Sequence, residues 1–173
     1  MTHRVAKVSA TVLAAVVLWG SPALASHGNG KHWSGQGERT VRVIDRTGDA
    51  ALQKKVRSAV AAWDSGATKV KLLYETGSGG CRLDQKRIEV CQGGKSFTKW
   101  SYDSNNHFLG VVVTLSPSMM RKAGDAIACH ELGHALGLGH RPSGTSCMTA
   151  TVSPSQTTPD GHDFATVDAQ HHH

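Results

Sequence analysis

The sequence has 173 residues, 39% hydrophobic and 18% charged, with a formal net charge of +6. That is enough chain for one domain with a sizeable core, too short for two comfortable ones, and too apolar for a disordered chain. No run of Lys and Arg and no basic stripe interleaved with aromatics points to nucleic acid.

Residues 1–25 read as a secretory leader. Arg4 and Lys7 form a basic start, VSATVLAAVVLW is an apolar stretch closed by Pro22, and ALA at 23–25 is a small-x-small cleavage site. An apolar run of about 12 residues falls short of the ~20 that a spanning helix needs, so no stable membrane anchor is expected. Cleavage after Ala25 leaves 17 basic against 13 acidic residues, a net charge of +4. Residues 26–40 are Gly-rich and polar, and are expected to be a flexible segment with His27 and His32 in solvent. The domain proper is expected over 41–173.

VRVIDRT at 41–47 alternates apolar and polar residues and reads as a strand. Asp49 is placed to cap a helix whose apolar face is Leu52, Val56, Ala59, Val60 and Trp63, ending at Gly66. KVKLLYE from Lys69 and RIEVCQ from Arg87 are strands joined by a Gly-rich loop. SFTKWSY from Ser96 is a weaker strand. HFLGVVVTLS at 107–116 is the most apolar strand, broken by Pro117. A helix over 125–138, or starting a turn or two earlier, is followed by Ser/Thr/Pro/Gly-rich loop to about Pro159. Asp163 is expected to cap a short last helix over 164–170. The order predicts an α+β fold, a twisted mixed sheet with a long site-bearing helix and a C-terminal helix.

Cys81, Cys91, Cys129 and Cys147 are an even set in a chain expected to be exported, which favours two disulfides. Three pairings exist; Cys81–Cys91 and Cys129–Cys147 are nearest in sequence. No C-x-x-C pair supports cysteine as metal ligand.

The chemistry concentrates in ACHELGHALGLGHRPSGTSCMTA, 128–150. His130 and His134 are four apart on a helix and face the same way, so both imidazoles can reach one Zn²⁺. Glu131 is beside them, able to reach a metal-bound water without ligating. A catalytic zinc needs a third protein ligand and one open position. His140 can be that ligand only if the chain leaves the helix, and Gly137 is placed to turn it with positive φ. Gly133, inside the helix, suggests close approach of a neighbouring segment.

HELGHALGLGH resembles the metzincin pattern H-E-x-x-H-x-x-G-x-x-H at His130, Glu131, His134, Gly137 and His140. Metzincins are zinc endopeptidases with a zincin-like fold and a methionine turn beneath the metal. The resemblance makes Met148 that turn, as in small secreted bacterial enzymes similar to matrixins and snapalysins. Snapalysin-like enzymes carry Asp as the third ligand, so His140 brings this chain closer to the matrixin side. A Cys129–Cys147 bridge would then staple the site helix to the methionine turn, with Cys81–Cys91 a hairpin staple. Thr149 and Ala150 follow Met148, so the tyrosine ligand of astacins is missing.

The resulting expectation is a secreted, monomeric endopeptidase with one catalytic Zn²⁺, zinc-activated water and Glu131 as general base, acting on protein or peptide. Nothing indicates a Ca²⁺ site. A non-catalytic zinc module and a zinc amidase for cell-wall peptides are the alternatives. Substrate is expected to pair with an edge strand, with His107 and the strand after it as candidates for the rim.

Overall fold

The computed structural model describes residues 27–35 and 37–171. The expected leader lies outside the described residues. In chain order the elements are β1 (Arg39–Asp45), α1 (Ala50–Asp64), β2 (Val70–Thr76), β3 (Ile88–Gln92), β4 (Phe97–Tyr102), β5 (Phe108–Leu115), α2 (Pro117–Ala135) and α3 (Gly161–Gln170). The strands form one sheet in the order β2-β1-β3-β5-β4. Every pairing is parallel except β4 with β5. This is the expected α+β architecture with a mixed sheet.

Asp49 caps α1 as the sequence suggested, its carboxylate accepting from Ala51 N at 2.8 Å and Leu52 N at 2.9 Å. The buried side chains of α1 are Leu52, Val56, Ala59, Val60 and Trp63, the stripe expected from 3.6-residue spacing. They meet Val43, Val70, Ile88 and Val111 of the sheet in one core with Leu132 and Met148. Among the described residues no helix is long and apolar enough to cross a membrane.

The loop between β2 and β3 is held by charge and by sulfur. Glu89 is fully buried, yet its carboxylate accepts from Arg46 Nε at 3.2 Å, Arg87 Nη2 at 2.7 Å and Arg82 N at 2.6 Å. A buried carboxylate is tolerable when paired this fully. The Cys81–Cys91 disulfide closes the same loop.

Pro117 ends β5 as expected and also opens α2 as its first residue, where a missing N–H costs nothing, so α2 starts eight residues, about two turns, before Asp125. Two expectations are corrected. The cap of α3 is Asp160, not Asp163. Asp163 is the reciprocal member of a capping box, accepting from Asp160 N at 2.8 Å. The segment expected to lie loose in solvent packs on the domain at 27–35: His32 is 8% and Trp33 3% exposed.

His171, just past the end of α3, joins that packing. It is buried; its Nε2 accepts from Trp33 N at 3.0 Å and its Nδ1 donates to Val167 O at 2.6 Å. Burial, with His32 and Arg39 nearby, lowers its pKa from 6.5 to about 4. The unfolded chain therefore binds a proton near pH 6.5 that the folded chain refuses until about pH 4. Stability from His171 is complete above pH 6.5 and is lost as pH falls towards 4, by on the order of 3 kcal/mol. Urea denaturation across that range should show a steeper loss for the wild type than for His171→Leu; equal slopes would remove His171 as the cause.

Candidate active site

The site is built where α2 stops. Ala123 has non-helical φ/ψ (−146°, 40°), so α2 is kinked, and its second part carries Cys129 to Ala135 as a nearly buried helix. The helix ends at Leu136, and Gly137 follows at φ +92°. A Cβ on Gly137 would also overlap the Lys31 carbonyl oxygen. Gly137 is thus required by conformation and by space.

Three indoles grip this end of the helix. Trp63 Nε1 donates to Cys129 O at 2.9 Å, Trp100 Nε1 to His134 O at 2.9 Å and Trp33 Nε1 to Ala135 O at 3.0 Å. The last satisfies the Ala135 carbonyl, which the helix end leaves without an intrahelical donor, while Trp100 joins Gly137 N on the His134 carbonyl. The N-terminal segment then ties the following loop: Asn29 N donates to Gly137 O at 2.8 Å and Gly139 N to His27 O at 2.5 Å.

The turn brings His140 back to His130 and His134. The three Nε2 atoms lie 3.0–3.1 Å apart pairwise. His130 Nδ1 is 2.7 Å from Cys147 O and His134 Nδ1 2.8 Å from Leu138 O. A carbonyl only accepts, so each Nδ1 carries the proton and each Nε2 presents a lone pair. At least two lone pairs therefore face each other at 3.0 Å, an arrangement that calls for a cation. Nitrogens about 2.0–2.1 Å from one tetrahedral zinc ion are about 3.3 Å apart, so the cluster fits. Burial lowers the pKa of His130, and lowers that of His134 to about 4, keeping both imidazoles neutral as ligands must be.

Glu131 lies beside the cluster, 7% exposed. Its Oε2 accepts from Thr98 Oγ1 at 2.7 Å, and the same hydroxyl lies 3.0 Å from Glu131 O. Burial pushes its carboxyl up to about 7, against the lowering effect of the Thr98 bond. A cleft of about 720 Å³ joins these residues, with Phe97, Thr98 and Trp100 of β4 on one side and Met119, Ala123 and Ile127 of α2 on the other.

That cleft corrects the expected rim. β5 lies inside the sheet between β3 and β4; the edge strand beside the site is β4. His107 is not part of the cleft lining and binds Asp103 Oδ2 at 3.1 Å. The pattern on β5 reported burial, which both faces of an internal strand have, and burial does not identify an edge.

Beneath the histidines, Met148 is fully buried. A Cβ on Gly133 would overlap Met148 Sδ and come within 2.7 Å of Trp63 Cζ2. The close approach expected at Gly133 is therefore made by a thioether and an indole. The Cys129–Cys147 disulfide joins the helix to this turn. Ser146 Oγ donates to Asp163 Oδ2 and accepts from Met148 N at 2.9 Å, which fixes the turn to α3. Thr98, Trp100, Trp33 and Ser146 carried no local signal in the sequence, because their partners are 30 or more residues away or lie in a loop.

Residues 98–171 match the matrixin family (peptidase M10). That stretch runs from Thr98 to His171 and holds the whole cluster, so the similarity covers the part of the chain that bears the site. That similarity, with the converged histidines and the mixed five-stranded sheet, supports a metzincin-type zinc metalloendopeptidase on an α+β, zincin-like fold. Among solved structures, myroilysin aligns over 85% of this chain and 93% of its own at 13% identity, with a TM-score of 0.49. High choriolytic enzyme 1, a hatching enzyme zinc-protease from Oryzias latipes (medaka fish), aligns over 63% of this chain and 50% of its own, at 20% identity and a TM-score of 0.42. Comparison with curated protein sequences finds no match.

Gly133→Ala tests the packing under the site. In an ordinary helix interior it stabilises by roughly 0.5–1 kcal/mol. Here overpacking against Met148 and Trp63 should reverse the sign and cost about 1–3 kcal/mol by urea denaturation. A stabilised variant would contradict the close contact.

Proposed function

We propose that the protein is an exported endopeptidase in which His130, His134 and His140 hold one zinc ion and Glu131 is the general base. The observation that carries this reading is the convergence of three Nε2 atoms beside a carboxylate held by a single hydroxyl. Zinc, when bound, supplies Lewis acidity: it makes water acidic near neutral pH and polarises a peptide carbonyl.

The chain's own groups supply the rest. Thr98 occupies Glu131 Oε2, and because Glu131 lines the cleft, Oε1 is the oxygen left for the reaction. Oε1 takes the proton of the attacking water and hands it to the departing amine. His130 and His134 keep their ring orientation through the carbonyls of Cys147 and Leu138. The substrate lies extended along β4, whose outer edge is available for strand addition. The wall formed by Met119, Ala123 and Ile127 suits an apolar substrate side chain. Export is supported by the leader pattern at 1–25 and by two disulfides, which persist in oxidising compartments.

Three experiments test this reading. A chelator should abolish cleavage of a peptide library and Zn²⁺ should restore it. Glu131→Gln should keep bound zinc but lose roughly 10²–10⁴-fold in kcat, the range for a general base. Full activity in Glu131→Gln would end the reading. Thr98→Val should lower kcat roughly 10-fold with KM nearly unchanged, as expected for one lost bond to a charged group, and Thr98→Ser should recover it. Loss of KM alone, or no rescue by serine, would assign Thr98 a different role.

A further inference from the structure

Away from the active-site cluster, a second set of ligating atoms converges. His27 Nε2, His162 Nδ1 and Asp163 Oδ1 lie within 4.8 Å of one another. Asp163 is fully buried, and the His27 side chain is 7% exposed. None of the three atoms has a hydrogen-bond partner. His27 Nε2 and Asp163 Oδ1 are 3.1 Å apart, an ion-pair distance without hydrogen-bond alignment.

The remaining atoms of these residues are committed. Asp163 Oδ2 accepts from Ser146 Oγ and from Asp160 N. Thr166 Oγ1 donates its proton to His162 O at 2.8 Å, so towards His27 Nδ1, 3.5 Å away, it can only accept. This favours the His27 tautomer with its proton on Nδ1 and a lone pair on Nε2, facing the carboxylate. The two ring centroids are 5.0 Å apart, within the 4.6–5.0 Å range of the active-site histidines.

Charge points the same way. Asp160 and Asp163 share one guanidinium: Arg141 Nη1 is 2.5 Å from Asp160 Oδ2 and 3.5 Å from Asp163 Oδ1. Two carboxylates against one cation leave a negative charge at a buried place, which is costly unless neutralised. Arg141 is engaged by the nearer Asp160, and Asp163 Oδ1 remains open on the side of the two imidazoles.

We infer that His27, His162 and Asp163 form a second cation site for a divalent ion of the zinc type. Two nitrogens and one carboxylate oxygen suit Zn²⁺ rather than Ca²⁺, which prefers an all-oxygen shell. The ion would fasten residue 27 to α3. Because Gly139 N donates to His27 O, it would also steady the backbone next to His140.

Zinc stoichiometry tests this independently of catalysis. The purified protein, stripped with chelator, reloaded with Zn²⁺ and dialysed, should retain about two ions per chain by elemental analysis. His162→Gln and His27→Gln should each retain one, and so should His134→Gln, while His134→Gln with His162→Gln should retain none. The second equivalent should raise Tm in the wild type and not in His162→Gln. A wild type that holds one ion overturns the proposal. A second ion that survives both His27→Gln and His162→Gln overturns it as well. An inactive protein holding two ions would fail the peptidase reading and leave this one standing.

Discussion

The structure depends on one stop. Helix α2 must present His130 and His134 on a face and then end within a turn, or His140 cannot return. Ending a helix in a buried place exposes carbonyls that need donors. Gly137 supplies the turn, and the donors come from Trp100 on β4 and Trp33 in the N-terminal segment, with Trp63 of α1 gripping the helix one turn earlier. Much of the tertiary packing can be read as the means of holding those three indoles where the helix needs them. Trp63 belongs to the core stripe of α1, and Trp33 is buried against Phe108 at a centroid distance of 5.2 Å.

The same stop sets the electrostatics. Because the helix end is enclosed, the imidazoles of His130 and His134 are desolvated and stay neutral, while the Glu131 carboxyl is pushed up to about 7. Enclosure thus prepares lone pairs and a weakly acidic carboxyl in one place, which is what metal-assisted proton transfer uses. Thr98 limits the effect. It binds the ionised form, so burial does not remove the base altogether, and it comes from the edge strand along which a substrate would lie.

What was legible follows from the range of the signals. Spacing within α1 fixed its buried face, and HELGHALGLGH marked the converging histidines, because both are encoded within a few turns of one chain segment. Asp49 as cap was readable for the same reason. Pro117 was read as a breaker, though the residue fits a helix start equally well, and only the packing of α2 on α1 and β5 decides. The N-terminal segment looked polar and loose because Gly and His dominate it. Its anchors are Trp33 on α2 and His171 on Trp33, contacts 102 and 138 residues apart that no local pattern reveals. The edge position of β4 was likewise hidden, since strand order is set by pairing across the sheet.

The Cys129–Cys147 bridge shows how the site can be both buried and assembled reliably. The two cysteines are 18 apart, and the loop between them contains His130, Glu131, His134, Gly137 and His140. Closing a loop of that size lowers the entropy of the unfolded chain by an amount worth about 3 kcal/mol in the chain-entropy model. The restriction applies to the residues that must converge, so part of the cost of gathering three ligands is already met before folding. In the folded state the bridge does a different task. It fixes Cys147 beside His130, and the Cys147 carbonyl is the acceptor that sets the His130 tautomer. A covalent link placed one residue from a ligand and on the residue that orients it constrains position and protonation together. Hydrophobic packing of Met148 alone would constrain only position.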